Sequence, residues 1–139
     1  MKKILITLVL MCCCMSVAQA QDMRGENGSY IGRIESDGTI RDRSYSMVGR
    51  IESDGTIRNR SNSMVGRIER DGTIRNRNNS MVGRVESDGT VRNSNYSSIG
   101  YVKSDGTVRD GSYRSIGEAR NVPVTYAAVF FFFKYLIEN

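Results

Sequence analysis

The stretch Val48-Gly49-Arg50-Ile51-Glu52-Ser53-Asp54-Gly55-Thr56-Ile57-Arg58-Asn59-Arg60-Ser61-Asn62-Ser63-Met64 decides the fold. It holds two short runs of β-forming residues, Val48 to Glu52 and Thr56 to Asn59, around an Asp-Gly pair. Asp-Gly between alternating apolar positions is a hairpin signal. The Ser61-Asn62-Ser63 segment supplies a second bend.

Parity fixes the loop length. A two-residue loop places Ile51 and Ile57 on opposite faces. A three-residue loop, Ser53-Asp54-Gly55, sets Ile51 against Ile57 and Glu52 against Thr56, with both aliphatic residues on one face. It also brings Gly55 to the left-handed position that closes such a turn. A one-residue slip sends half of the apolar set into water, so burial selects the three-residue loop.

The same 17 residues recur. From Ile31 to Ser115 the chain reads as five units without an insertion or deletion, with Asp-Gly at 37–38, 54–55, 71–72, 88–89 and 105–106. Self-similarity at this fidelity defines a repeat architecture. The inner face then carries Ile34/Ile40, Ile51/Ile57, Ile68/Ile74, Val85/Val91 and Val102/Val108. Glycines at 32, 49, 66, 83, 100 and 117 fall beside these pairs, where a missing side chain marks a close approach or a bend. Arg50, Glu52, Thr56, Arg58 and their equivalents face outward.

Two aliphatic residues per unit do not offset the entropy of ordering 17 residues, so the units must share a core. The ends are complementary part-units: Met23-Arg24 matches the later Ile-Arg pairs, and Ile116-Gly117-Glu118-Ala119 matches a first run. Their pairing closes a circle and removes the sheet edges, which favours a ring over an open solenoid. The expected fold is all-β: five consecutive β-hairpin repeats in a radial, closed arrangement, with an apolar C-terminal plug segment.

Residues 1–20 read as a signal peptide. Lys2 and Lys3 precede an apolar stretch that is too short for a membrane helix, and Ala18-Gln19-Ala20 is a cleavage pattern. Cys12, Cys13 and Cys14 raise a lipoprotein reading, but Met11 is not the small residue wanted before a lipidated cysteine. The expectation is export to the periplasm or the cell exterior, with a repeat domain over 21–121 and an apolar C-terminal segment over 122–139.

Cleavage after Ala20 leaves a chain without Cys, His or Trp. Disulfides, Cys/His metal sites and Cys or His nucleophiles are thereby excluded, and no cofactor is expected. Removing Lys2 and Lys3 leaves 18 basic against 15 acidic residues, interleaved rather than blocked. Such a face is solvated and ion-paired, and without an aromatic-basic motif it argues against nucleic acid.

The GRIESDGTIRN repeats, the leader and the tail Val122-Pro123-Val124-Thr125-Tyr126-Ala127-Ala128-Val129-Phe130-Phe131-Phe132-Phe133 resemble the 5-fold beta-flower family of small secreted bacterial proteins. The resemblance implies β-hairpins around a pseudo-fivefold axis. It implies no activity and carries no catalytic residues. Tyr101 and Lys103 depart from the pattern, standing where the other units have Arg and Glu.

The loops and columns offer three chemistries. Each Asp-Gly loop has one Asp without the alternating oxygen ligands of a calcium loop, so a structural turn is the simpler reading. Glu35, Glu52, Glu69 and Glu86 recur beside arginines, which suits a scaffold better than a glycosidase pair. The column Arg41, Arg58, Arg75, Arg92 and Arg109 is unbroken and could grip acidic glycans or phosphates, with Tyr45, Tyr96 and Tyr113 adding stacking faces, but pairing with the neighbouring glutamates to keep the outer face soluble is the simpler reading. The leading expectation is an exported, non-catalytic structural or interaction module of unknown ligand, with a glycan and another exported protein as the candidate partners. A carbohydrate-binding module on the Arg/Tyr face and a small glycan hydrolase are the alternatives.

The tail from Val122 to Phe133 cannot remain in water. It is expected to plug the ring as a strand or helix, with membrane or partner contact as the other reading. Deleting residues 122–139 should therefore abolish cooperative melting or cause aggregation. A truncated protein that stays monomeric with unchanged melting would rule out the plug.

Overall fold

A computed structural model describes residues 21–138, so the expected leader lies outside the described residues. Twelve strands form one closed antiparallel barrel. They are β1 (Asp22–Gly25), β2 (Tyr30–Ile34), β3 (Thr39–Arg41), β4 (Met47–Ile51), β5 (Thr56–Asn59), β6 (Met64–Ile68), β7 (Thr73–Asn76), β8 (Met81–Val85), β9 (Thr90–Asn93), β10 (Ser98–Val102), β11 (Thr107–Asp110) and β12 (Ser115–Glu118). Each repeat is one hairpin, from β2–β3 to β10–β11. The two part-units supply the remaining position in the ring. β1 pairs with β12 through Arg24 opposite Glu118 and Gly25 opposite Gly117, so the sheet has no free edge.

The register is that of the three-residue loop. Ile51 stands opposite Ile57, Ile68 opposite Ile74, and Val85 opposite Val91. The Gly55 amide donates to Glu52 O, and the Glu52 amide donates to Thr56 O. Gly55 takes φ +93°, and a Cβ there would run into Ile68 O of the next hairpin. Only glycine satisfies both conditions. The close approach links the hairpins: the Ile68 amide donates to Gly55 O at 2.8 Å, and the Ala119 amide closes the series on Gly106 O at 2.7 Å.

The bends between repeats use the same geometry. Asn62 N donates to Asn59 O and Asn59 N to Ser63 O. The Asn59 side chain accepts from the Ser61 and Ser63 amides, each at 3.0 Å. Each is followed by a bulge, as where Ile57 pairs with Gly66 but Arg58 pairs with Met64.

A barrel of twelve strands is too wide for its own side chains to fill. The tail fills it as a helix, α1 (Val124–Phe132), continued by the short α2 (Tyr135–Glu138). Pro123 precedes α1 with φ −54°, a backbone angle already suited to helix initiation. The segment passes through the barrel from one rim to the other. Val122 and Val124 lie with Ser104 and Asp105 at the Asp-Gly rim, and Ile137 lies with Arg60 and Ser61 at the opposite rim. Ala127, Ala128 and Val129 are fully buried. The inward isoleucines and valines belong to the same core.

The glycine column is where this helix meets the wall. A Cβ added at Gly32 would sit 2.8 Å from Phe130 Cζ, and one at Gly117 would sit 2.7 Å from Phe131 Cε1. Gly100 faces Phe132, Gly83 faces Phe133, and Gly49 faces Ile137. The four phenylalanines are spokes ending on four different hairpin positions. Gly66 departs from this pattern, with Arg75 backbone and Ile57 Cδ1 as its nearest neighbours. At the other five glycines of the column, where the wall carries no side chain, the tail presents a large one, which is how close packing is reached.

Phe133→Ala should destabilise the protein by about 3–5 kcal/mol through the cavity it leaves. Gly83→Ala should cost about 1–3 kcal/mol through overpacking. If the two groups meet as described, the double variant loses less than the sum in denaturant titrations. Strict additivity would place the phenylalanine elsewhere.

Candidate binding face

The outer wall carries the arginine column, and its guanidinium groups are anchored. Arg41 Nε donates to Glu35, Arg58 to Glu52, Arg75 to Glu69 and Arg92 to Glu86. The same arginines donate from Nη1 to the turn carbonyls of Tyr45, Asn62, Asn79 and Tyr96, at 3.0–3.1 Å. This anchoring answers a local repulsion: Arg50 stands directly opposite Arg58, and Arg67 opposite Arg75. Like charges in register are unfavourable, and one glutamate per hairpin offsets them. Both partners of each pair are about two-thirds covered, so each pair contributes little net stability but fixes one geometry.

The aromatic residues sit at the turn tips in a costly backbone conformation. Tyr45, Tyr96 and Tyr113 have φ of +69°, +65° and +70°, at positions where the second and third repeats place Asn62 and Asn79. Asparagine tolerates this region, whereas a bulky residue is strained there. About half of each tyrosine remains exposed, from 49% at Tyr113 to 54% at Tyr96. Tyr45 stacks on Tyr30 at 6.1 Å and lies near the Arg33 and Arg41 guanidiniums, at 5.5 and 5.9 Å. Sequence reasoning named these tyrosines but missed their strain. The cue was there: Tyr alternates with Asn at one repeat position, and Asn is the residue that tolerates left-handed turns.

The columns run around the barrel, one arginine to a hairpin. The arginine of each unit donates to the main-chain carbonyl of its tyrosine, Arg41 to Tyr45, Arg92 to Tyr96 and Arg109 to Tyr113, and at Tyr45 and Tyr113 the guanidinium also lies against the ring. The structure does not gather the eight residues into one pocket. A cleft of about 590 Å³ opens between the first two units, lined by Asp37, Arg50, Glu52, Arg58 and Tyr126 among others.

The fifth unit differs. Lys103 stands where the glutamates stand, and Arg109 Nε is buried without a hydrogen-bond partner. Tyr113 lies 4.9 Å from both Lys103 Nζ and Arg109 Cζ, and Tyr101 meets Tyr113 edge-on at 5.0 Å.

The carboxylates are taken up by the framework. Asp37, Asp54, Asp71, Asp88 and Asp105 each accept from the amide of the threonine two residues on, at 2.9–3.0 Å. Among the described residues no group of three Asp or Glu side chains is arranged to hold a metal ion. No helix among them is long and apolar enough to cross a membrane.

Comparison with known protein families matches the 5-fold beta-flower protein family over residues 20–134. The chain belongs to the beta-flower family. The family description names a fold and no reaction. Searches of curated proteins and of solved structures gave no match. In this beta-flower the five full repeats and the split unit together close the ring.

The turn aspartates make the beta-flower sensitive to acid. The Thr amide and hydroxyl hydrogen bonds hold the carboxyls of all five below the usual aspartate range. A lowered folded-state value contributes stability above the unfolded value and loses it as pH falls through the folded one. Melting temperature should therefore drop as pH falls below about 4. Asp→Asn at 54 and 71 keeps the acceptor oxygen and should make that drop shallower in melts between about pH 2 and 5. Parallel curves for the variant and the parent protein would contradict this assignment.

Proposed function

We propose that this beta-flower is an exported, non-catalytic scaffold that displays the Arg/Tyr turns of its outer wall to a partner, and that the partner is a glycan. One observation carries the reading: three turns hold a tyrosine where asparagine is cheaper. Strain of about 1–3 kcal/mol per residue persists where a function uses the side chain. A tyrosine ring beside an arginine is a surface on which a sugar face stacks and its hydroxyls or acid groups are gripped. Weak contacts repeated on several turns add through multivalency. Export rests on the Lys2-Lys3 start, the apolar stretch and Ala18-Gln19-Ala20.

The hydrolase reading is disfavoured by the use of the recurring acids. Each recurring glutamate accepts from an arginine and each loop aspartate from a backbone amide. A general acid must instead be poised to give up a proton near neutral pH. The burial of Ala127 to Phe130 and Phe133 likewise disfavours a membrane role for the tail.

The test uses protein recovered from outside the cytoplasm, with an intact mass that starts at Gln21. On a glycan array it should bind without cleaving. The variant with Tyr45, Tyr96 and Tyr113 all changed to Asn should lose that binding. Tyr96→Asn alone should raise stability by about 0.5–1 kcal/mol, as relief of an unfavourable backbone angle does. Retained signal in the triple variant, or glycan hydrolysis by the parent protein, would overturn the reading.

A further inference from the structure

In four repeats the outer wall shows what an arginine of this column requires. Arg41, Arg58, Arg75 and Arg92 each present Nε to the carboxylate of the glutamate that directly follows the first strand of the same hairpin. The fifth repeat keeps the arginine and removes the acid. Lys103 replaces the glutamate, and Tyr101, opposite Arg109, replaces the other arginine. The three positions go from Arg, Glu and Arg to Tyr, Lys and Arg, so the fifth unit gains one positive charge and has no carboxylate there.

Beyond its hydrogen bonds to Thr107, Asp105 lies close enough for the charges of Lys103 and Arg109 to help lower its pKa, but no acid among the described residues accepts from Arg109 Nε. Asp105 accepts from the Thr107 amide. Asp110 accepts from the Ser112 and Arg114 amides and faces the Arg114 guanidinium at 3.6 Å. Arg109 still donates from Nη1 to Tyr113 O at 3.0 Å, which holds the guanidinium in the orientation seen in the other units. Its Nε is left buried and unpaired. A buried donor without an acceptor is unfavourable, and a donor already in place gives up little freedom on binding.

We propose that the fifth hairpin is an anion site for the carboxylate of an acidic sugar, taken between Arg109 Nε and Lys103 Nζ where the other repeats keep a glutamate. This rests on the glycan reading above and names the sugar class. The planar group follows from the four internal examples, in which a carboxylate occupies the place. The sugar follows from the surroundings. Tyr101 and Tyr113 form an edge-on aromatic wall beside the two cations. The Ser98 hydroxyl donates to Tyr101 Oη at 3.1 Å, which sets hydroxyl groups at the margin of the site. Rotamer changes in the half-exposed Lys103 and in the Tyr113 ring open the way to Nε, motions that are fast for surface side chains.

The test measures the Arg109 Nε–H resonance while the full-length mature protein is titrated with an oligogalacturonate, its carboxyl-reduced neutral counterpart, or inorganic phosphate. The oligogalacturonate should shift the resonance and bind about tenfold or more tightly than the neutral form, an effect that weakens with salt. Lys103→Glu restores the repeat pattern, so it should fold, melt higher than the parent protein, and lose the same factor in affinity. Equal binding by Lys103→Glu would overturn the site. If the triple tyrosine variant still lost that binding, the glycan reading would stand without it. A resonance moved by phosphate but not by oligogalacturonate would overturn the sugar assignment, and one moved by neither would overturn the site outright.

Discussion

The side chains of Phe130, Phe131, Phe132 and Phe133 end on four different glycines of the barrel wall, and the rest of the structure depends on that fit. A sheet of twelve strands closes around a space that its own isoleucines and valines cannot fill. A helix that is apolar on every side fills it, and such a helix is stable only when enclosed on every side. Ring and tail therefore require each other. Any Cβ in the glycine column would meet either an aromatic ring or a carbonyl oxygen of the neighbouring strand.

The split unit follows from the same constraint. Met23 and Ala119 occupy the core positions that the full repeats give to paired isoleucines or valines, one larger and one smaller. Because β12 belongs to this unit, the chain leaves the sheet at the Asp-Gly rim. There Arg120 takes the space beside Gly106 that the next hairpin takes elsewhere. Asn121, at φ +61°, turns the chain inward, and Pro123 starts the helix. The chain ends thus do two jobs: they close the ring and they deliver its core.

Much of this was legible in the sequence because each repeat states the same local rule. Asp-Gly spacing and the parity of Ile51 and Ile57 gave the loop, the register and the inner face. The part-units at Met23 and Ile116 gave closure. The tail reads as a plug in either of two forms, strand or helix, since four consecutive phenylalanines have no period to choose between them; the structure makes it a helix. The glycine column was read as a close approach, yet nothing local to Gly83 names Phe133, which lies fifty residues away. On the outer face the arginine and tyrosine columns were visible, and the grip of each glutamate on its arginine was a reasonable expectation. The strain at Tyr45, Tyr96 and Tyr113 shows in the sequence only indirectly, through Asn62 and Asn79 at the same repeat position, because φ is set by the turn and not by the residue that occupies it. The gap at Arg109 follows from a substitution at Lys103 whose effect appears only when the two strands are paired.

In a ring of repeats, what every unit shares is framework. The five aspartates, the four glutamates and their arginines hold turns and strands in the same way around the barrel, and a group already engaged in the framework has little left to offer a ligand. Functional capacity then resides where one unit departs from the others at a cost in stability. Two features of the outer wall carry such a cost: tyrosine, not asparagine, at three of the five turns, and tyrosine and lysine in place of arginine and glutamate in the fifth hairpin. At Tyr113, Lys103 and Arg109 the two coincide on a single hairpin. The fifth hairpin combines a strained, exposed ring, an extra cation and an unpaired donor, and these three features are complementary to one kind of ligand group, an anion carried on a ring.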